Sequence, residues 1–361
     1  MKYIYFFGLL FILISCKKNV EADSPEKLFE NYKESVVLIS SQFYYEIDFD
    51  GSKLYYSPSS EKKLFFTKEE ILQNLSSSTG TGFIISENGE IITNRHVVNP
   101  KDENFKDEIN NFRNNMRIVI NEELVKYRDT LDRLKNYYSE NSNYMDEYEN
   151  EKIKTVYNQY LEKVKELNFE DYTFQYSDIN KSTAKVIITK ISIAFNDTHV
   201  TNSEDLQECV IIKISDKENV DLALIQTKNK NFNIRPKNIF NFKDNNPNLV
   251  GNPNETTERN IKNPVKINED VYMIGFNRGF SLATTKQGIK SQFTSGKISQ
   301  ESDGERILYT IPTLEGSSGS PIIDKWGNLV GVNFAKITNS QSFSFGVPVY
   351  EVKKFYEEEI L

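Results

Sequence analysis

The chain has 361 residues, enough for one or two packed cores, and 38% of them are hydrophobic, which is compatible with a globular protein. A net charge of -8 and a pI near 5.2 argue against a surface built to neutralise phosphates, because nucleic-acid binders carry a basic stripe and none is visible.

The first residues carry a targeting pattern. Lys2 supplies a positive start, Ile4 to Ile14 form an apolar run too short to span a bilayer, and Leu13-Ile14-Ser15-Cys16 follows at once. This resembles a bacterial lipobox. The resemblance implies cleavage before Cys16, diacylglycerol on its sulfur and an acyl chain on its new amino group, and several acyl chains make a stable anchor. The expectation is a signal peptide over 1–15 and a mature chain tied by lipid to a membrane of a bacterial cell envelope, facing the periplasm or the surface. An ordinary secretory signal with a cysteine at its cleavage site is the alternative. With Cys16 lipidated, Cys209 has no partner for an internal disulfide, and the run Cys209-Val210-Ile211-Ile212 makes it a buried, inert thiol.

A polar tether and a short helix, Pro25 to Glu34, lead into short β runs: Val36 to Ile39, Phe43 to Phe49 and Lys53 to Ser57 about an Asp50-Gly51 turn, then Gly82 to Ser86 and Glu90 to Thr93. That texture stops after Pro100, and neither glycine nor proline occurs from Lys101 to Arg235. Leu124, Tyr127, Leu131, Leu134 and Tyr138, then Ile153, Tyr157, Tyr160, Val164 and Leu167, recur at helical spacing. With a break at Ser139 to Asn143 they predict an antiparallel helical hairpin at about 101–170. Its dense charge reads as a solvated face, with partner binding or substrate gating as the alternative. Strands are expected again at Tyr172 to Tyr176, Ala184 to Phe195, Glu208 to Ile214 and Leu222 to Gln226.

The resulting division is a lipidated tether and helix over 16–30, a first β unit over 31–227, a connector over 228–270 rich in Asn, Lys and Pro, a second β unit over 271–349, and a terminal helix over 350–361. The second unit has six candidate strands, enough to close a small barrel.

Three local patterns carry chemistry. Thr79-Gly80-Thr81-Gly82-Phe83-Ile84-Ile85 and Ile92-Thr93-Asn94-Arg95-His96-Val97-Val98 place a histidine just past a strand, and imidazole is the readiest base near neutral pH. The other histidine, His199, lacks such flanks. Asp221-Leu222-Ala223-Leu224-Ile225-Gln226 puts an acid at the mouth of an apolar strand, which Asp197, Asp205 and Asp216 do not match. Glu315-Gly316-Ser317-Ser318-Gly319-Ser320-Pro321-Ile322-Ile323 clamps a glycine-serine turn between β runs; its glycines permit a tight turn that presents Ser318 Oγ and aims the Gly316 and Ser318 amides at an oxyanion.

Together with Val271 to Phe276, Thr294 to Ser299 and Phe345 to Val349, these motifs make the chain resemble HtrA-type, trypsin-like serine peptidases from Ser35 to about Val349. The resemblance implies a mainly β fold of two six-stranded antiparallel barrels, with the hairpin inserted in the first, and a triad of His96, Asp221 and Ser318 with Gly316 and Ser318 as oxyanion donors. It also implies endopeptidase action on unfolded or exposed polypeptide, with no metal or organic cofactor. Departures are the long segment between His96 and Asp221, Ser320 where the family has a second glycine, and Ser317 where digestive trypsins carry an aspartate for a freed N-terminus. The form expected has no PDZ domain. Pro312, Leu314, Phe334 and Lys336 are expected to wall a substrate pocket with Gly346 at its open floor, and nothing in the sequence sets an oligomeric state. A catalytically silent trypsin-like fold used for binding is the rival.

Overall fold

A computed structural model describes residues 22–49, 51–102, 104–240, 266–300, 302–336 and 343–358, with Ala335 and Lys336 described by backbone alone. The expected signal peptide, Cys16 and much of the connector lie outside the described residues. No helix among the described residues is long and apolar enough to cross a membrane.

Helix α1 (Pro25–Tyr32) is started by Ser24, whose hydroxyl accepts from the Lys27 amide at 3.3 Å, and by proline in its first turn. Next come β1 (Val36–Phe49), β2 (Ser52–Tyr56), β3 (Leu64–Phe65), α2 (Lys68–Leu72), β4 (Ser76–Ile84), β5 (Glu90–Thr93) and α3 (Arg95–Val98). The hairpin α4 (Phe105–Asn141) and α5 (Glu147–Tyr176) precedes β6 (Thr183–Phe195), β7 (Gln207–Ile214) and β8 (Ala223–Thr227). The second half holds β9 (Asp270–Gly275), α6 (Phe280–Ala283), a ribbon of β10 (Thr284–Thr285) and β11 (Gly288–Ile289), and β12 (Gln292–Gln300). It ends with β13 (Ile307–Tyr309), β14 (Pro321–Asp324), β15 (Leu329–Lys336), β16 (Ser344–Pro348) and α7 (Val349–Glu357).

Strands β1, β4, β5, β8, β7 and β6 pair in that order, and β6 pairs back onto β1 to close the first barrel. The second barrel closes through β9, β12, β13, β16, β15 and β14. All these pairings are antiparallel. The chain adopts the expected mainly β fold of two closed six-stranded antiparallel barrels with a helical hairpin inserted in the first.

Strand alternation sends one set of side chains into each barrel, Val37, Ile39, Ile91 and Ile225 in the first and Met273, Ile307, Ile322 and Val330 in the second. The opposite faces meet. Leu38, Phe83 and Ile92 of the first barrel and Ile274, Phe276 and Val347 of the second share one cluster, plugged by Leu28 of α1 and Phe355 of α7. Each of these buried side chains stabilises the fold by ~1.5–3 kcal/mol, so the seam between the barrels is itself core.

The hairpin rises from a built root. Past a bulge at Gln42/Phe43, β1 leaves β4 and continues with β2 and β6 as a ribbon. Phe43, Tyr45, Ile47 and Tyr56 of that ribbon pack against Ile109 of α4, with Phe112 and Phe174 beside them. Further out, Ile120, Leu124 and Leu131 meet Val164 and Leu167. The break between the helices falls at 142–146, slightly later than expected, where Asp146 and Glu149 form a capping box for α5.

The strand expected at Tyr172 to Tyr176 is the end of α5 instead. Tyr-Thr-Phe-Gln-Tyr satisfies a two-residue alternation, but Phe174 also continues the helical stripe of Val164 and Leu167. Its ring lies 6.1 Å from that of Phe112, leaving Tyr172 and Tyr176 exposed.

Candidate active site

Strands β5 and β8 are neighbours with Thr93 opposite Ala223, so the turn after β5 meets the segment before β8. Asn94 donates from Nδ2 to the Asp221 carbonyl at 2.7 Å. The Asp221 carboxylate then grips His96 at two points: Oδ1 accepts the His96 backbone N–H at 3.1 Å, and Oδ2 lies 2.5 Å from Nδ1. An ionised carboxylate only accepts, so Nδ1 carries the proton and the Nε2 lone pair is left for a substrate or nucleophile. The Asp221 side chain is 14% exposed and that of His96 46%, which puts the acceptor inside and the base outside. Arg95 fastens the same segment, donating to the Ser215 and Lys217 carbonyls at 3.1 Å each.

Two of the rival acids are committed elsewhere, and the third, Asp216, is exposed. Asp197 pairs with Lys290, whose ammonium holds that carboxyl below its usual range. Asp205 accepts from Thr201 and Asn202 within its own loop. His199 is exposed between β6 and β7.

On the second barrel the turn before β14 has every carbonyl from 315 to 318 engaged. Glu315 O accepts from the Arg278 amide at 2.5 Å, and Gly316 O from Thr81 Oγ1 at 2.8 Å. Ser317 O accepts from Asn333 Nδ2 at 2.9 Å and the Ser320 amide at 3.1 Å, and Ser318 O from the Thr81 amide at 2.8 Å. Ser317 and Gly319 also spend their amides, on Leu314 O at 3.0 Å and Asn333 O at 2.8 Å. The Gly316 and Ser318 amides have no intramolecular acceptor among the described residues. In a trans peptide the N–H points opposite its carbonyl, so pinning Glu315 O and Ser317 O aims those two free donors. Two unspent amides on one rigid turn are what an oxyanion requires.

Gly316 and Gly319 have φ of +91° and +86°, in the left-handed region that other residues avoid. A Cβ on Gly319 would lie 2.0 Å from Thr81 O and 3.2 Å from Asn94 N, so the Ser318 turn is docked directly on the strand end that leads to His96. Ser318 is half-buried, and no hydrogen bond joins its Oγ to His96 among the described residues. Ser317, in place of the trypsin aspartate, donates from its hydroxyl to Leu314 O at 2.6 Å and accepts from Asn333 Nδ2 at 3.2 Å. Ser320 is fully buried.

The expected pocket is placed only in part. Pro312 and Leu314 are exposed on the segment entering the turn, while Phe334 is half-buried and stacks on Phe345 with ring centroids 6.4 Å apart. The Lys336 side chain lies outside the described residues. A Cβ on Gly346 would lie 2.9 Å from Ile322 Cδ1 and 3.2 Å from Ile307 Cγ1, on the face of β16 that looks into the second barrel.

Residues that sequence reasoning passed over are Thr81, Asn333 and Tyr309. Tyr309 is fully buried, burial raises its phenol well above the usual range, and its neutral hydroxyl lies 2.6 Å from Asn333 Oδ1. Thr81 stood in a motif already noted for its neighbours and Asn333 beside the pocket candidate Phe334, but their partners are distant in sequence. Cys209 is buried in the first barrel, which pushes its thiol up to about 12 and leaves it unreactive. No group of acids, histidines or cysteines among the described residues could hold a metal ion.

Residues 180–332 match the family described as trypsin-like peptidase domain. The match begins after the hairpin and takes in Asp221 and Ser318; His96 precedes it and joins the site through Asp221. The chain is also similar to the crystal structure of the serine endoprotease from Yersinia pestis, at 15% identity and a TM-score of 0.42, over 94% of this chain and 67% of the other.

Proposed function

We propose that this chain, whose residues 180–332 match the trypsin-like peptidase domain, is a serine endopeptidase acting on unfolded or exposed polypeptide segments. The observation that carries this reading is the two-point grip of Asp221 on His96, made where the Ser318 turn docks.

Ser318 Oγ attacks the peptide carbonyl carbon as His96 Nε2 takes its proton. Asp221 stabilises the imidazolium, and the Gly316 and Ser318 amides bind the oxyanion. His96 returns the proton to the leaving amine as the C–N bond breaks. Water, activated by His96, then splits the acyl ester and frees Ser318. The cycle uses only these groups, and the specificity of the cut is set by side chains beside Leu314 and Phe334.

A fluorophosphonate is expected to label Ser318 in the folded protein, and Ser318→Ala to lose labelling and proteolysis at an unchanged melting temperature. Assays use unfolded model substrates and native membrane extracts. Absence of labelling under both conditions, with His96 and Asp221 substitutions changing nothing, would sink the peptidase reading in favour of a silent binding fold. We also propose anchoring to a bacterial envelope membrane through lipid on Cys16; Cys16→Ala is expected to abolish acyl labelling, and membrane retention in high salt without acyl label would count against it.

A further inference from the structure

We propose that Thr81 is the positioning residue that sets the oxyanion turn of the second barrel against the base of the first. The inference rests on the peptidase reading for its catalytic consequence, although its structural part stands without turnover.

Thr81 lies on β4, fully buried, and uses all its polar groups. Its amide donates to Ser318 O at 2.8 Å. Its hydroxyl accepts from the Phe276 amide at 3.0 Å. A hydroxyl has one hydrogen, and Phe276 can only donate, so that hydrogen goes to Gly316 O at 2.8 Å. Its carbonyl accepts from Thr93 Oγ1 at 2.7 Å.

The donors to the four carbonyls divide by barrel. Arg278, Asn333 and Ser320 belong to the second barrel and hold the turn's internal shape. Thr81 alone comes from the first, and through Thr93 it is tied to the strand that ends three residues before His96. A change in the other donors would loosen the turn, whereas a change in Thr81 would shift the intact turn relative to His96. Misplacement on the order of 1 Å costs about 100-fold in rate. In the sequence Thr81 stands in the Thr79–Ile85 motif only as a neighbour of glycines.

The test compares Thr81→Val, which keeps the shape and removes the hydroxyl, with Thr81→Ser, which keeps the hydroxyl and removes the methyl. T81V is expected to lower kcat about 10- to 100-fold with KM within about 3-fold, and to weaken a peptide aldehyde, which needs the oxyanion donors, by a similar factor. T81S is expected to recover to within about 3-fold of the parent. Amide hydrogen exchange at Phe276, whose N–H donates to the hydroxyl that is removed, should rise in T81V and return to normal in T81S, a readout that needs no activity. Should T81V not fold, Thr81→Cys, with a weaker donor of serine's size, takes its place. Unchanged kcat and exchange in T81V, a loss confined to KM, or equal loss in T81S and T81V would overturn the proposal. Failure of the unsubstituted protein to label or cleave would instead sink the peptidase reading, and the exchange comparison would still decide the role of Thr81.

Discussion

The groups offered by the first barrel, the His96 imidazole and the Asp221 carboxylate, are side chains held by other side chains, with Asn94 and Arg95 fastening the backbone around them. The second barrel offers mainly backbone: two free amides on a turn whose flanking carbonyls are all engaged. Side-chain chemistry needs only that two strand ends stay adjacent, so the loop beyond His96 is free to grow into a long helical hairpin. Backbone chemistry needs particular dihedral angles and closely packed neighbours, and the turn between Ile311 and Pro321 admits no such growth. Insertion tolerance and glycine content thus follow from the kind of group each barrel supplies.

The sharpest way to probe this contrast is Asp221→Asn. It keeps the strand ends together and alters only the imidazole tautomer, so turnover should fall on the order of 10³- to 10⁴-fold while the melting temperature changes little. A large loss of stability would mean that the acid is structural. On the second barrel, Gly319→Ala should act through the fold. Its Cβ would overlap Thr81 O at 2.0 Å with φ at +86°, and the expected loss is about 3 kcal/mol or more by chemical denaturation. Gly51 has a similar φ of +79° but open space around it, so Gly51→Ala should cost only about 1–2 kcal/mol. Equal costs at the two sites would show that backbone hand, and not docking, sets the requirement.

Replacing residues 121–170 by a short Gly-Ser linker removes most of the outer seam and spares the root formed by Ile109, Phe112 and Phe174. Cooperative unfolding should persist, with a melting temperature shifted by only a few degrees. Loss of cooperativity would assign the outer hairpin to the barrel core.

The smallest effect concerns the Asp197–Lys290 pair, which joins the loop after β6 to the segment before β12. Lys290 holds the Asp197 carboxyl below its usual range, so the pair's stabilisation is fully present above the ordinary carboxylate range and is lost as pH falls through the lowered value. Both groups are well exposed, so the contribution is below about 1 kcal/mol. Asp197→Asn should lower the neutral plateau of a stability–pH curve by less than about 1 kcal/mol and flatten this part of its acid limb, and an unaltered curve would count against the pair.

The legible parts of the molecule were those whose cause is local. Helical spacing marked the hairpin, and the flanks of His96, Asp221 and Ser318 marked the candidate site, because each flank forms the strand or turn that carries its residue. Thr81 and Asn333 were not legible in the same way, since their bonds run to residues brought near only by barrel closure. Tyr172 to Tyr176 misled because a short alternating run fits a strand and the exposed end of a helix equally well, and only Phe112 across the seam decides between them. The face of β16 on which Gly346 sits was hidden for a related reason: which side of a strand looks inward is a property of register.

The hairpin also bears on how the first barrel is assembled. Closure joins β1 to β6, yet the chain from Thr93 to Thr183 lies between the end of β5 and the start of β6. As coil, that stretch would have to be searched and closed at an entropic cost that grows with its length. Two helices form from near neighbours, within microseconds, and return the chain to within the ~8–10 Å spacing of a packed helix pair. For the closing strand, the inserted stretch then counts as a short loop.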